Sequence, residues 1–356
     1  MDRIGDGKRV LLFNNSLSGG AGKSILSLAS AMRGVGTDCR IVIYENRIDY
    51  SIPDGIPITI LENATDSQRV GYELEKWLEK EGDFDMLISN SSPSNKILSK
   101  ISHRNIWHCV RSAETKSFSG FLSGMRKRWR YAKYRRLYDG KRLITVSRGL
   151  ERFIVEELGA TPAEIRAIYN VFDFDEIEKL SAINDPEIPT GEYLIHVGRY
   201  DLKHKRHDIL LQAYLESGVD MDLILLGEGR DREKIASLIE EMGLEKRVKM
   251  AGFKKNPYPW LKNARLLVFS SDFEGFARVL LESLYLGTPA VSTNCPTGPD
   301  EILTGDLSRF LVPVGDSRML AKKMTEALES YPEIDRERFI HFSPEKIASS
   351  YLKLLE

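Results

Sequence analysis

The chain has 356 residues, 42% of them hydrophobic and 29% charged, with a formal net charge of −1. Such a chain is long enough for two globular cores, and a near-neutral balance gives no global reason to expect nucleic acid as a partner. Its three cysteines, Cys39, Cys109 and Cys295, are scattered and lack metal-ligand spacing, which fits reduced core thiols and leaves no metal or cofactor expected.

No apolar run approaches the length of a membrane span, and the opening MDRIGDGKRVLLF lacks the hydrophobic stretch of a signal peptide. The expectation is a cytoplasmic protein that touches a membrane, if at all, from its surface. Strands are expected over 9–13, 39–44, 86–89, 105–109 and 142–146, with helices over 21–32, 67–79 and 149–157. This alternation predicts a mainly parallel sheet covered on both faces, with ligands collecting at the carboxyl ends of the strands.

The first strand runs into NNSLSGGAGKSILSL, which imitates a phosphate loop. The ordinary spacing requires glycine where Leu17 stands, so that match fails. A shorter variant fits Gly19, Gly20, Gly22, Lys23 and Ser24 but has Ser18 in place of its signature lysine, so a P-loop ATPase stays open at this point. A tight strand-to-helix turn is the plainer alternative. Further on, His108 in NIWHCVRSAE closes an apolar strand, as a packed residue or as a catalytic one. His103 precedes the strand and would point elsewhere.

In the basic helix expected over 118–142, Phe118, Phe121, Leu122, Met125, Trp129 and Ala132 recur at steps of three and four. Arg126, Lys127, Arg128, Arg130, Lys133 and Arg135 fill the other directions. The pattern describes either a core-facing stripe with a solvated back or a surface for anionic membrane lipid or a lipid-linked diphosphate, at about 1 kcal/mol per cation.

A polar, acidic stretch over 173–190 with Pro186 and Pro189 reads as a linker between domains at 1–172 and 191–342, followed by a last helix over 343–356. In the second domain, strands are expected over 193–197, 222–226, 248–251, 266–269 and 290–292. Gly198 and Arg199 end the first of these. The run KHKRH that follows puts cations at an expected helix start, against the dipole, a mild sign of an anionic ligand. The segment LLVFSSDFEGFARVLLESLYL reads as a buried strand, a polar turn holding Gly275 and a helix, delivering helix N–H groups to the sheet edge. Glu274 and Glu282 are eight residues apart, about 12 Å along a helix axis. That separation suits opposite ends of one extended ligand, each carboxylate accepting from neighbouring hydroxyls.

EGFARVLLE, together with HVGRYDLKHKRHDILLQAY, LILLGEGRDREKI, AGFKKNPYPWLKNA and GTPAVSTNCPTGPDEIL in order, resembles the retaining glycosyltransferases of family 4. The resemblance implies the α/β GT-B fold, two Rossmann-like domains facing each other across a cleft, with the final helix crossing back to the first. It implies transfer from a nucleotide-sugar donor, a UDP-sugar favoured, to a hydroxyl of a glycan or lipid-linked acceptor in bacterial surface polysaccharide or lipopolysaccharide synthesis. By the same resemblance Glu274 touches the transferred sugar and Glu282 the ribose, while Arg199 and Lys205, beside Gly198, meet the diphosphate. Gly252, Phe253 and Lys254 stand at the base, and Gly275, Phe276, Ala277 and Arg278 offer backbone N–H groups, with Ala277 where glycine is frequent. Gly19 and Gly20 lie against donor phosphates or acceptor, and His108 faces the donor sugar. The rival readings are a nucleotide-sugar epimerase of the same architecture, the P-loop ATPase, and a nucleotide-sugar-binding protein without transfer.

Overall fold

The computed structural model describes residues 4–62, 66–112 and 123–356, of which 123–130 by their helical backbone alone. The chain divides into two compact units, Met1–Asp173 with His341–Glu356, and Phe174–Ile340.

The first unit holds a seven-stranded sheet, all pairs parallel: β1 (Arg9–Asn14), β2 (Asp38–Ile43), β3 (Ile58–Ile60), β4 (Met86–Ser89), β5 (Ile106–Val110), β6 (Arg142–Thr145) and β7 (Glu164–Ala167), in the order β3-β2-β1-β4-β5-β6-β7. Val10, Leu11, Leu12 and Phe13 are fully buried, so β1 is covered on both faces. Edge strand β3 is only half buried. The helix Gly19–Gly34 follows β1 and packs against the closing helix Pro344–Leu352, which belongs to this unit.

The second unit repeats the plan with β8 (Tyr193–Val197), β9 (Asp222–Leu226), β10 (Val248–Gly252), β11 (Leu266–Phe269), β12 (Ala290–Thr293) and β13 (Leu311–Val312), in the order β10-β9-β8-β11-β12-β13. Its core joins Leu194, Leu210, Leu223, Leu266 and Leu320. Each such burial contributes about 1.5–3 kcal/mol. The strand order reverses between β8 and β11, which puts a ligand-binding edge at the carboxyl ends of these two strands.

Three of the expected segments are defined further by the structure. The stretch 173–190, read as a linker, carries the helix Phe174–Ser181, which packs on the helix Tyr258–Lys262. Its acids are anchors, Asp185 accepting from Trp260 Nε1–H at 2.8 Å and Glu187 from Lys254 Nζ at 2.7 Å. His108 is the third residue of β5, two residues before its end, and its side chain is buried. The basic helix spans Ser123–Tyr138; Phe118, Phe121 and Leu122 lie outside the described residues, as do the side chains of 123–130.

Candidate active site

At the carboxyl edge of the second sheet three strand-end loops are laced together. Gly198 N–H donates to Leu226 O, Tyr200 N–H to Glu228 O and Gly227 N–H to Gly252 O, each at 2.9 Å. Gly227 has a positive φ of 148°, and a Cβ there would overlap the Gly198 carbonyl oxygen. The Gly227-Glu228-Gly229 turn is therefore glycine-rich for close backbone packing.

The single helical turn Leu202–Lys205 is capped by Asp201, whose carboxylate accepts from the backbone N–H groups of Lys203 and His204 at 3.1 and 3.3 Å. With an acid in front, its cations occupy the last turn, where the helix dipole favours them. The conflict with the dipole read from KHKRH persists only at Arg206, the N-cap of the helix His207–Ser217, where Asp208 and Asp272 pair with its guanidinium. Ser270 Oγ donates to Lys205 O at 2.7 Å and Asp272 N–H to His204 O at 2.9 Å, fastening this turn to the loop after β11. Lys205 then passes over Gly198 and the Phe269 ring, and its Nζ donates to Glu274 Oε1 at 2.5 Å. Both side chains are 15% exposed. Arg199 is exposed nearby in sequence and makes no ion pair among the described residues.

Beneath them lie two histidines that sequence reasoning missed. His196 on β8 and His207 are fully buried, with ring centroids 4.9 Å apart. His196 Nδ1–H donates to Val268 O at 2.9 Å. Burial holds His196 well below the usual histidine range and brings His207 down to about 4, so both are neutral near pH 7. β8 is buried on both faces from Tyr193 to His196, and the apolar run YLIHV around His196 was the signal.

The turn after β11 carries further residues of this edge. Phe276 and Ala277 are buried, and Ala277 is held in the left-handed region at φ 48° and ψ 52°. A Cβ on Gly298 would stand 2.8 Å from Phe276 Cα, so the 297–298 turn packs directly on this backbone. Thr297 Oγ1 donates to Glu274 O. Glu282, expected near a ribose, is buried in the second turn of the helix Arg278–Tyr285. Its Oε1 lies 3.6 Å from Arg278 Nη2 and 3.5 Å from Tyr258 OH. At the end of β10, Gly252 has φ 74° and Phe253 leaves 64% of its surface exposed. The Lys254 ammonium is already engaged by Glu187 and lies 5.0 Å from the Trp260 ring centre.

In the first unit, Gly19 opens the helix Gly19–Gly34 at φ 58°, and its N–H donates to Asp49 Oδ2 at 3.0 Å. Gly20 is exposed with open space around its Cα. The Ser24 hydroxyl, which a phosphate loop would aim at magnesium, is buried instead: it accepts from Arg111 Nη2 at 2.5 Å and lies 3.4 Å from Asn170 Oδ1. Arg111 also donates to Asn90 Oδ1 at 3.2 Å and to Asn170 Oδ1. This geometry sets the ATPase reading aside. His108 pairs with Ser89 at 3.0 Å, and burial, assisted by Lys141, lowers its pKa to about 4.

Residues 179–346 match the family Glycosyl transferases group 1, and residues 18–176 match Glycosyltransferase Family 4. The chain belongs to the family 4 glycosyltransferases. Over 219 residues it is 31% identical to the N-acetylgalactosamine-N,N'-diacetylbacillosaminyl-diphospho-undecaprenol 4-alpha-N-acetylgalactosaminyltransferase of Campylobacter jejuni, covering 60% of this chain and 59% of that protein. Over 180 residues it is 29% identical to the lipopolysaccharide 1,6-galactosyltransferase of Escherichia coli, covering 49% and 48% respectively. The match thus spans between about half and three fifths of these relatives' own length. The Anabaena protein HepE, solved in complex with UDP and glucose, aligns at a TM-score of 0.69 over 97% of this chain and 95% of that one, with 18% identity. The two parallel-sheet units of this family 4 glycosyltransferase are those of the GT-B fold. Of the residues singled out in its sequence, the fold brings Lys205 to Glu274 and to Gly198, and Arg278 to Glu282. Gly19, Gly20 and His108 belong to the other unit.

Proposed function

We propose that this family 4 glycosyltransferase moves a sugar from a UDP-sugar to a hydroxyl of a glycan or lipid-linked glycan, with retention at the sugar carbon, in bacterial surface polysaccharide or lipopolysaccharide synthesis. The observation that carries the reading is the Lys205–Glu274 pair at 2.5 Å, on the sheet edge where the strand order reverses. An arriving diphosphate takes over the ammonium and frees Glu274 to accept from sugar hydroxyls. Arg199, exposed on the same strand-end loop, supplies the second cation, because one helix dipole of roughly half an elementary charge cannot balance a diphosphate. Glu282, held by Arg278 and Tyr258, accepts from the ribose hydroxyls, and exposed Phe253 gives the base an apolar surface.

In the transfer, the bond from the sugar carbon to the diphosphate oxygen breaks as the bond to the acceptor oxygen forms on the same face. The acceptor's proton passes to the departing phosphate. Charge grows on that phosphate, so Lys205, Arg199 and the amino end of the helix Arg278–Tyr285 act on the transition state more than on the bound donor. UDP is favoured because a neighbouring fold was solved with it, and the acceptor class follows the names of the relatives. Exposed Lys133, Arg135 and Arg136 on the helix Ser123–Tyr138 support an anionic membrane surface as the place where such an acceptor is met.

The test is Arg199→Ala and Lys205→Ala, each assayed with UDP-sugars and a glycan acceptor panel. The expected loss in kcat is about 10²–10³-fold, as for removal of a charge-stabilising donor, with the melting temperature of Arg199→Ala unchanged. Undiminished turnover in Arg199→Ala would remove the diphosphate role from that residue.

A further inference from the structure

The two strands that frame the ligand-binding edge of the second unit part early. β8 pairs with β9 along its whole length, from Tyr193↔Asp222 to Val197↔Leu226. With β11 it pairs only at Leu194↔Leu266 and Ile195↔Leu267. One step further, that register sets His196 opposite Val268. There the ladder has stopped and a side chain takes its place: His196 Nδ1–H donates to Val268 O at 2.9 Å. The bond thus spans the fork at which the strand order reverses.

A carbonyl oxygen only accepts, so the neutral ring carries its proton on Nδ1 and a lone pair on Nε2. Nε2 is buried and without a hydrogen-bond partner among the described residues. It faces the loop that leaves β8: a Cβ on Gly198 would stand 3.2 Å from it and 3.3 Å from Cδ and Cε of Lys205. Ring, glycine backbone and lysine stem therefore meet at one point. Behind the ring, His207 packs edge-on against it, and Tyr200 edge-on against His207. An apolar ring would fill this place without burying two nitrogens, one of which gains no bond in return. What the imidazole adds is a bond of fixed length across the fork.

We propose that His196 is a positioning residue for the sugar transfer: its bond to Val268 sets the width of the fork between β8 and β11, and with it the point from which Lys205 reaches Glu274. This rests on the transfer reading above. Lys205 is held from both sides, by Gly198 after β8 and by Ser270 after β11, whose Oγ donates to Lys205 O at 2.7 Å. A wider fork pulls these supports apart and moves the ammonium.

Two replacements separate the bond from the ring. His196→Asn keeps a side-chain N–H at the reach of Nδ1 and loses the ring; His196→Phe keeps a ring and loses the N–H. His207→Phe is the control, because neither His207 nitrogen has a hydrogen-bond partner among the described residues. If the residue merely fills space, activity follows packing and Phe is the better substitute. Positioning by the bond gives the opposite order. With kcat taken per UDP-binding site counted by calorimetry, His196→Phe is expected to lose about 10–100-fold, and His196→Asn and His207→Phe to stay within about threefold, the scale on which small displacements of positioned groups act. The donor KM should move less than kcat, since Lys205 serves the transition state more than the bound donor. Melting temperatures should rank the other way, Phe above Asn. Hydrogen exchange in peptides 197–206 and 268–277, read by mass spectrometry, should be faster in His196→Phe than in His196→Asn.

Wild-type kcat and exchange in His196→Phe would overturn the proposal, as would a loss in His196→Asn as deep as in His196→Phe. If the Phe chain does not fold, nitrogen NMR of histidine-labelled wild type decides: His196 is expected as the Nδ1–H tautomer, and the Nε2–H tautomer would overturn the bond. A wild type that transfers from no UDP-sugar sinks the transfer reading alone, and the order of exchange rates still decides whether the bond sets the fork.

Discussion

Ala277 is an L-residue in a conformation that glycine adopts freely, and it sits buried at the start of the helix Arg278–Tyr285. The left-handed region costs such a residue about 1–2 kcal/mol. Glycine avoids that strain but loses about 0.5–1 kcal/mol in chain entropy on folding. Ala277→Gly is therefore expected to raise stability by about 0.5–1 kcal/mol in urea denaturation, whereas the branched side chain of Ala277→Val lowers it by about 2 kcal/mol. Equal stability of the two variants would show that the turn relaxes and stores no strain. The departure from glycine was readable in EGFARVLLE, but the left-handed angle was not, because it depends on the 297–298 turn packed against Phe276 from twenty residues away. His108 shows the same limit from the other direction: its residue type was conspicuous, yet only the pairing of β5 with β4 beside Ser89 places it inside the sheet.

Elements with continuous apolar runs were legible to within a residue or two; the strands at 86–89, 193–197, 222–226 and 266–269 fall where the periodicity put them. Elements that bury little were not. The helix Ser92–Leu98 comes from SPSNKIL, with a proline in its first turn and only seven residues, and it forms because Ser91 caps it and Ile97 and Leu98 reach the core. The helix Phe174–Ser181 hid in an acidic stretch that read as a linker, although Asp175 and Glu176 in its first turn suit the dipole and Ile177 is buried. The loops after β8, β9 and β10 are tied to one another by backbone hydrogen bonds, which explains why GEG carried so little meaning when read alone. Because a Cβ on Gly227 would collide with the Gly198 carbonyl oxygen, Gly227→Ala is expected to cost about 3 kcal/mol or more. It should also weaken UDP binding, since the displaced loop carries Arg199. A Gly227→Ala chain with wild-type stability and UDP affinity would mean the three loops are not mechanically linked.

Across the whole chain, three of the six histidines are held neutral inside, His108 in the first unit and His196 and His207 in the second. Burial is the leading cause for each; neighbouring Lys141 adds to it at His108, and Lys205 at His207. In the unfolded chain they regain an ordinary value of about 6.5. Between that value and the folded value of about 4 for His108 and His207, the unfolded state binds protons that the folded state refuses. Stability is therefore full above about pH 6.5 and falls as pH drops toward 4, by about 1.4 kcal/mol per pH unit for each histidine. Asp38, beside Arg40 and Arg9, and Asp201, beside His204 and Arg230, are held below their ordinary range and titrate below this window. Denaturant titrations at pH 7, 6 and 5 should show the midpoint falling steeply with acid. His207→Phe should flatten the slope by about one proton, and adding His108→Gln by about one more. A slope that stays as steep in both variants would assign the acid sensitivity to groups other than these histidines.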